Sequence, residues 1–476
     1  MSLTKVSYSM ISGACANILD FGADPTGVAD STAAIQAAID SVVSNGGADG
    51  GQVYFPAGTY KITSTVTVSS NGVHLIGDGM NATMINFMPS ATDICFLWDE
   101  GNAVIYIGSI KQMTFYSDDT TYVKFAIQIV DVSGFVVRDV GTRFPHWSDT
   151  SGNSVFLVLN GREFIWVQDI YAFADRPLVI NKIPASHTGA GIGLDQTNFH
   201  NIYFGGMSSN AIVEIGDNCP ISQVSFTGTQ SWVGGGYGLY WNDTTSVGIS
   251  EGLVISNVRL EQGVDPTKHA FYISHNTGVQ NFTVYNGYCG DRAGFYLRKC
   301  DSVNIVDYYA TLAGAEVMNT DTTVREVSLI SCFWQGTTTA SMVGQLTIFA
   351  VPLEPNTGAL PPTAFYSSTL NAIRNEIHDG VIAGTPFTVA NTATTNLPFN
   401  FVSYFYVMAS NGAMALFANN TSSTYEISDP TSGFSITPAN AGTTNIYISG
   451  GNLVLQNNTG GSLNYKINQF GSSGSF

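Results

Sequence analysis

Charge is scarce in this chain: Asp, Glu, Lys and Arg together make up 11% of 476 residues, against a usual ~25%. Helical, coiled-coil and disordered chains need far more, so those classes are excluded. Basic residues are scarcer still. Seventeen Lys and Arg against 35 Asp and Glu leave a net charge of −18, a field that repels phosphate backbones, and nucleic acid is not an expected partner. Long apolar runs are also missing. The richest stretch, Asn400 to Ala418, is broken by Ser403, Ser410, Asn411 and Gly412, well short of the ~18 uninterrupted apolar residues of a membrane span. The six cysteines (Cys15, Cys95, Cys219, Cys289, Cys300, Cys332) show neither CxxC spacing nor the density of a disulfide scaffold, and are expected as buried thiols. The opening MSLTKVSYSMISGACA has one Lys and no apolar segment of secretory length, so synthesis in a cytoplasm without a signal peptide is expected.

What is abundant is glycine, 50 residues, and apolar side chains, 44%, enough for a long core. A polar residue followed by an apolar one serves as a phase marker for internal repeats. Asp139-Val140, Asp169-Ile170, Asn201-Ile202, Gln223-Val224, Asn257-Val258, Asn281-Phe282, Asn304-Ile305 and Glu326-Val327 are separated by 30, 32, 22, 34, 24, 23 and 22 residues. A second marker, AIVEIG, GLYWND, AFYISH and GFYLRK, precedes the later units. Each unit thus holds at least two short strands of period two, parted by Gly, Asn and Asp. That is too short for a propeller blade and lacks the helix of a leucine-rich repeat. The pattern predicts an all-β single-stranded parallel β-helix over residues 19–350 with coils of 22 to 24 residues, some enlarged by loops. Asn201, Asn257, Asn281 and Asn304 are expected to stack as a turn ladder.

Ahead of the coils, TAAIQAAIDSVVSNGG places Ala34, Ile35, Ala38, Ile39, Val42 and Val43 on one helical face, N-capped by Asp30 or Ser31. Such a helix would close the open end of the solenoid. The proline-rich VPLEPNTGALPPTAF reads as a boundary near 350, and residues 351–476 as an antiparallel β-sandwich or jelly roll with few charges, suited to a homo-oligomer interface.

NILDFGADPTGVADSTAAIQAAI, GGQVYFPAGTYKI and VHLIGDG resemble the opening of the pectate-lyase-like right-handed β-helix family, above all bacteriophage tailspikes that degrade surface polysaccharides. The matching positions include Asp20, Phe21, Gly22, Asp30, Phe55, Pro56, Gly58, Gly77 and Gly79. The resemblance covers about sixty residues and is specific for fold. It implies a homotrimer, a capsular or O-antigen substrate, a C-terminal trimerising or carbohydrate-binding domain, and a place in the virion tail beside other tail proteins. Residues 1–18 look like the joint to a virion-attachment part, which is missing, very short or cut away here. The fold hosts lyases, hydrolases, esterases and inert spikes alike, so it does not choose the reaction.

Alternation along the coils nominates the site. Inward pairs Val213/Ile215, Leu239/Trp241, Phe271/Ile273 and Phe295/Leu297 leave Glu214, Tyr240, Tyr272 and Tyr296 in one outward column, stacked ~4.8 Å per coil. Three tyrosines beside a carboxylate suit a sugar chain whose C–H faces pack on aromatic rings, and equally suit a subunit contact. In LVISNVRLEQG, Arg259 and Glu261 turn outward, with Tyr285, Asp291 and Arg292 one coil on. Residues 255–300 hold five Lys and Arg against three acids, a local +2, as an anionic glycan requires; a surface ion pair explains Arg259 and Glu261 equally well.

Hydrolysis needs two carboxyls ~5–9.5 Å apart, and Glu261 with Asp291, or Glu261 with Glu214, are the candidate catalytic pairs, Asp195 the reserve. β-Elimination needs a base, for which His275, Tyr272, Arg259 or Arg292 are available. No dense Asp cluster suggests calcium, and no metal or cofactor is expected. Depolymerase, non-cleaving glycan-binding spike and structural fibre remain as function classes.

Overall fold

The computed structural model describes residues 15–45, 50–143, 147–246, 248–263, 265, 267–290, 293–310, 316–320, 323–330, 332–334, 337–340, 345–349, 381–383, 387–391, 393–397, 403–410, 414–419, 424–428, 434–436, 441–449 and 452–472. The lead-in before Cys15 and the linker beyond 350 lie outside them. Two compact units emerge, Met1–Leu370 and Asn371–Phe476.

The first unit starts on a knot of hydrogen bonds. The Asp24 carboxylate accepts from the backbone N–H of Thr26 (3.0 Å), Val28 (3.2 Å) and Ala29 (2.7 Å) and from the Thr26 hydroxyl. These bonds, that from Ala29 above all, favour the charged form and pull its pKa down to about 2. The DPTG motif therefore sets the turn that delivers the chain to helix α1, Thr32–Asn45. Asp30 Oδ1 accepts from Thr32 N at 3.0 Å at its start. Ile35, Ala38, Ile39 and Val42 are buried in the core cluster, so α1 closes the first coil as its periodicity predicted. Truncating Ile39 to Ala would cost ~2–5 kcal/mol.

From there the chain winds into a parallel β-solenoid of about ten turns. A first ribbon is formed by Gly51–Phe55, Val73–Gly77, the leading halves of Ile105–Tyr116, Val132–Thr142, Ile165–Ala174, Asn198–Gly206 and Ser225–Gly234, and then Val254–Ser256 and the start of Thr283–Cys289. The trailing halves of the long strands, with Val258–Glu261, make the second ribbon. The third is a separate sheet through Asp93–Trp98, Lys124–Val130, Val155–Asn160, Arg176–Asn181, Val213–Ile215, Leu239–Asn242, His269–Gln280 and Ala293–Asp301.

The bend between first and second ribbons is made by one residue in the left-handed region: Gln112, Asp139, Asp169, Asn201, Asn257, Asn286 and Asp307, with φ of 49–58°. Short polar side chains tolerate that conformation. They also link across coils, Asn201 Nδ2 donating to Asp169 Oδ1 at 3.1 Å and Asn286 Nδ2 to Asn257 Oδ1 at 2.8 Å. This corrects the expected ladder. Asn281 sits at a different corner, before the first ribbon, and Asn304 lies within a strand, paired with Thr283. The expected 22- to 24-residue coil holds in the later turns, where Tyr272↔Tyr296 and Val303↔Val327 are each 24 residues apart, whereas earlier bonded corner residues are 32 and 29 apart. The polar–apolar pair recurs at two corners of each coil, so the marker hopped between them.

The core is filled by stacked like residues, as at Phe199–Phe226 (centroids 4.4 Å) and Phe271–Phe295 (4.9 Å). Cys95, Cys219, Cys289, Cys300 and Cys332 are buried free thiols, and Cys15 is exposed.

The second unit contains a six-stranded sheet in which Ser403–Ala409 pairs antiparallel with Met414–Asn419 and Leu463–Ser472. A four-stranded sheet holds Thr444–Ser449 against Asn452–Asn457. The buried Tyr465 hydroxyl meets Thr444 Oγ1 at 2.8 Å, joining the two sheets. Among the described residues no helix is long and apolar enough to cross a membrane.

Candidate functional site

On the third ribbon the register is Glu214↔Tyr240↔Tyr272↔Tyr296↔Asn319. The flanking Val213, Leu239, Trp241, Phe271, Ile273, Phe295 and Leu297 are fully buried. Alternation therefore holds, and the four predicted side chains do form one outward column. Its chemistry differs from expectation. Tyr240 and Tyr272 stack at 5.0 Å and 24°, Tyr272 and Tyr296 at 4.3 Å and 3°. The outer face of Tyr296 is covered by the Arg298 guanidinium at 3.9 Å, and Tyr237 lies 4.7 Å from Tyr240. The ring faces are thus consumed by one another, and a sugar cannot lie flat on them. What the ledge offers is a row of ring edges and phenolic hydroxyls. Burial, then Tyr296 and Tyr240, push the Tyr272 phenol up to about 12. Burial, then Tyr237 and the Glu214 charge, raise Tyr240. Lys268 stands over Tyr237 at 5.2 Å, a cation at the border of the ledge, and the His269 ring lies 5.4 Å from Tyr296.

One end of the row is an ion pair. Arg176 grips Glu214 with two nitrogens, Nη2–Oε1 at 2.6 Å and Nε–Oε2 at 2.9 Å. Arg176 follows Asp175, which is held in a buried network. Asp175 Oδ2 accepts from Asp149 N (2.9 Å) and Ser154 N (3.2 Å); burial raises its pKa to about 6. At Asp149 desolvation is outweighed by the hydroxyls of Ser151 and Ser154 and the backbone N–H groups of Ser151 and Asn153, which lower its pKa to about 2. Beneath them the buried Lys124 ammonium donates to the carbonyls of Asp119 (2.8 Å), Tyr122 (3.0 Å) and Ser148 (2.9 Å). Loops 117–123 and 147–154 are so pinned beside the strand that carries Arg176.

Arg259 and Glu261 lie elsewhere, on the second ribbon. Arg259 Nη2 meets Glu261 Oε1 at 2.6 Å, with the arginine largely exposed. Arg259 also covers Tyr288 at 5.5 Å, and Tyr288 stacks with Tyr309 at 5.9 Å along an open groove of about 510 Å³. The pairing of Glu261 with Glu214 thus spans two different sheets. Asp291 and Arg292 fall outside the described residues.

His275 is corrected outright. It is 3% exposed, edge-on to Trp241 at 5.0 Å and 3.4 Å from the buried Asp243. Its Nδ1 accepts from Gly278 N at 2.8 Å, and burial lowers its pKa. It shares the inward parity of Phe271 and Ile273, a signal the sequence already held. Asp195 Oδ1 accepts from Gln196 N at 2.7 Å, shaping a turn. His74, His187 and His200 bond Ser109, Asp99 and Thr227; His146 and His378 fall outside the described residues. Among the described residues no three His, Cys, Asp or Glu are grouped to hold a metal. Sequence reasoning missed Arg176 and Tyr237, which sit at strand approaches where alternation gives no direction.

Residues 15–235 match the family model described as rhamnogalacturonase A/epimerase, pectate lyase-like. Mannuronan C5-epimerase AlgE2 of Azotobacter vinelandii is 46% identical over 79 residues, 15% of this chain and 8% of that protein. Alginate lyase 7 of the same organism is 37% identical over 91 residues, 18% of this chain and 9% of that protein. The chain thus matches only a small part of the length of these relatives. Among solved structures, the Dettilon tailspike protein (gp208) aligns with 95% of this chain and 93% of its own at a TM-score of 0.48 and 10% identity.

Proposed function

We propose that this chain, pectate-lyase-like over residues 15–235, binds a bacterial surface polysaccharide along the tyrosine ledge and cleaves it by glycosidic hydrolysis, as a phage tailspike depolymerase. The observation that carries this reading is the in-register hydroxyl row Tyr240, Tyr272 and Tyr296 running into the Glu214 carboxylate. A polymer lying along the solenoid axis would meet a hydrogen-bonding group at every coil and a carboxylate at the end of the row. The relatives named for epimerisation and lysis of polysaccharides support a polymeric sugar as ligand.

Hydrolysis is preferred to β-elimination because the described candidates for the eliminating base are unsuited to it. His275 is buried, Tyr272 is pushed up to about 12, and the bond to Glu261 raises Arg259 further. A base must be near its deprotonated state at working pH. Glu214 then acts as base or nucleophile. Asp291, two residues before the strand that carries Tyr296, supplies the acid; Glu261, on the other sheet and paired with Arg259, would do so only if the chemistry sat on the second ribbon. Arg292, Arg298 and Lys268 would steady an acidic sugar. The same proposal includes a homotrimer, a trimerising or carbohydrate-binding role for residues 351–476, and synthesis in the host cytoplasm followed by assembly into the virion tail.

Purified capsular polysaccharide incubated with the protein should gain reducing ends with no rise in absorbance near ~235 nm, the signature of an unsaturated uronate. A rise would replace hydrolysis by elimination, and retention without products would leave a binding spike.

A further inference from the structure

The outer side of the first ribbon carries a second array, away from the tyrosine ledge. Register places Lys111↔Arg138↔Gln168↔His200↔Thr227 in one outward column. Beside it run Val136↔Trp166↔Asn198↔Ser225. At ~4.8 Å per coil the first column is about 19 Å long, room for a short oligosaccharide. Trp166 is 45% exposed, while Trp98, Trp147, Trp232 and Trp241 are fully buried. No other ring touches Trp166 among the described residues, so unlike the ledge tyrosines it presents a free aromatic face.

Two cations stand one coil apart beside it. Arg138 is partly matched by Asp139, Nε–Oδ2 at 3.3 Å. Lys111 has no acceptor among the described residues, nor has the Gln168 amide. Burial, and then the Arg138 charge, lower the Lys111 pKa, a cost that a bound anion would remove. In a chain of net charge −18, Lys111 stands with no acceptor within reach among the described residues while Arg138 is shared with Asp139, so the column offers an anion a cation that no described residue neutralises.

We propose that this face is an accessory binding track for an acidic oligosaccharide, with the uronate carboxylate between Lys111 and Arg138, a sugar ring on Trp166, and hydroxyls toward Gln168 and His200. It would hold the polymer while the ledge acts on it. The proposal takes its ligand class from the polysaccharide reading but needs no cleavage.

The test is calorimetry of the full chain at low salt with oligogalacturonate and oligomannuronate hexamers, alongside neutral maltohexaose. At least one uronate should bind, more weakly as salt rises, and maltohexaose should bind at least tenfold more weakly. Lys111→Gln combined with Arg138→Gln, and separately Trp166→Ala, should weaken uronate binding tenfold or more with unchanged circular dichroism. The Lys111→Gln, Arg138→Gln pair made in a Tyr272→Phe background should still weaken uronate binding tenfold or more, while Tyr272→Phe alone reduces polymer cleavage, which separates failure of the track from failure of the ledge. The proposal is overturned if neither uronate binds, if the double variant stays within twofold of wild type, or if acrylamide cannot reach Trp166 because another copy covers it.

Discussion

Replacing Asp175 by Asn probes the network that pins the loops beside Arg176. Asp175 is 3% exposed, and one of its oxygens takes two backbone N–H bonds. Burial nevertheless lifts its pKa from 3.8 to about 6, because the charged form also faces Asp149. With the folded value raised, the favourable contribution is complete below about pH 3.8 and is lost as pH rises through about 6. The ceiling is about 3 kcal/mol at ~1.36 kcal/mol per tenfold in proton affinity, which solvent screening and loop relaxation reduce to ~1–2. Asn keeps an oxygen for both N–H groups and turns an NH₂ toward Asp149, mimicking the protonated acid. Urea midpoints followed by tryptophan emission suit the assay, since Trp147 Nε1 donates to Lys124 O at 3.2 Å in the same network. Variant-minus-wild-type stability should rise by ~1–2 kcal/mol between about pH 4.5 and about pH 7.5, other groups cancelling in the difference. A difference that is flat, or that falls with pH, would refute the assignment of the proton to Asp175.

Tyr272→Phe preserves the stack and removes the central hydroxyl, so kcat/KM should drop ~5–10-fold, the worth of one hydrogen bond; an unchanged value would remove the hydroxyl row from substrate binding. Glu214→Gln should cut turnover by ~10² or more with glycan retention intact, whereas Glu261→Gln should stay within about threefold if its pair with Arg259 is a surface ion pair. The reverse outcome would move the chemistry to the second ribbon. Lys124→Met strands three carbonyls that now share one buried ammonium and should cost ~3 kcal/mol or more, visible as a lowered midpoint; a neutral result would mean water replaces the amine.

Period-two alternation made the solenoid legible, because burial on one face forces a strict inward set such as Phe271 and Ile273. The outward tyrosine column followed from the same parity, and the capping helix from its apolar stripe. Coil length was legible only in the later turns, since loops between the earlier ribbons lengthen the coil without disturbing the stack, and corner residues with positive φ look alike in sequence at every bend. That the ledge rings stack on one another was missed for a different reason. Stacking at one residue per coil turns each tyrosine face toward the next, a consequence of the ~4.8 Å repeat that composition does not reveal. His275 was misplaced by reading its chemistry ahead of its parity. The role of Arg176 depends on a partner 38 residues away, a distance that no local pattern spans.

The proposed function requires that the ledge cleave a bacterial surface polymer. The most direct measurement is size-exclusion chromatography of surface polysaccharides from a panel of bacterial hosts, each incubated with wild-type protein and with Glu214→Gln. At least one polymer should collapse to a defined oligosaccharide with wild type and stay full length with the variant, which still co-elutes with it. Full cleavage by the variant, or no polymer shortened by wild type, would contradict it.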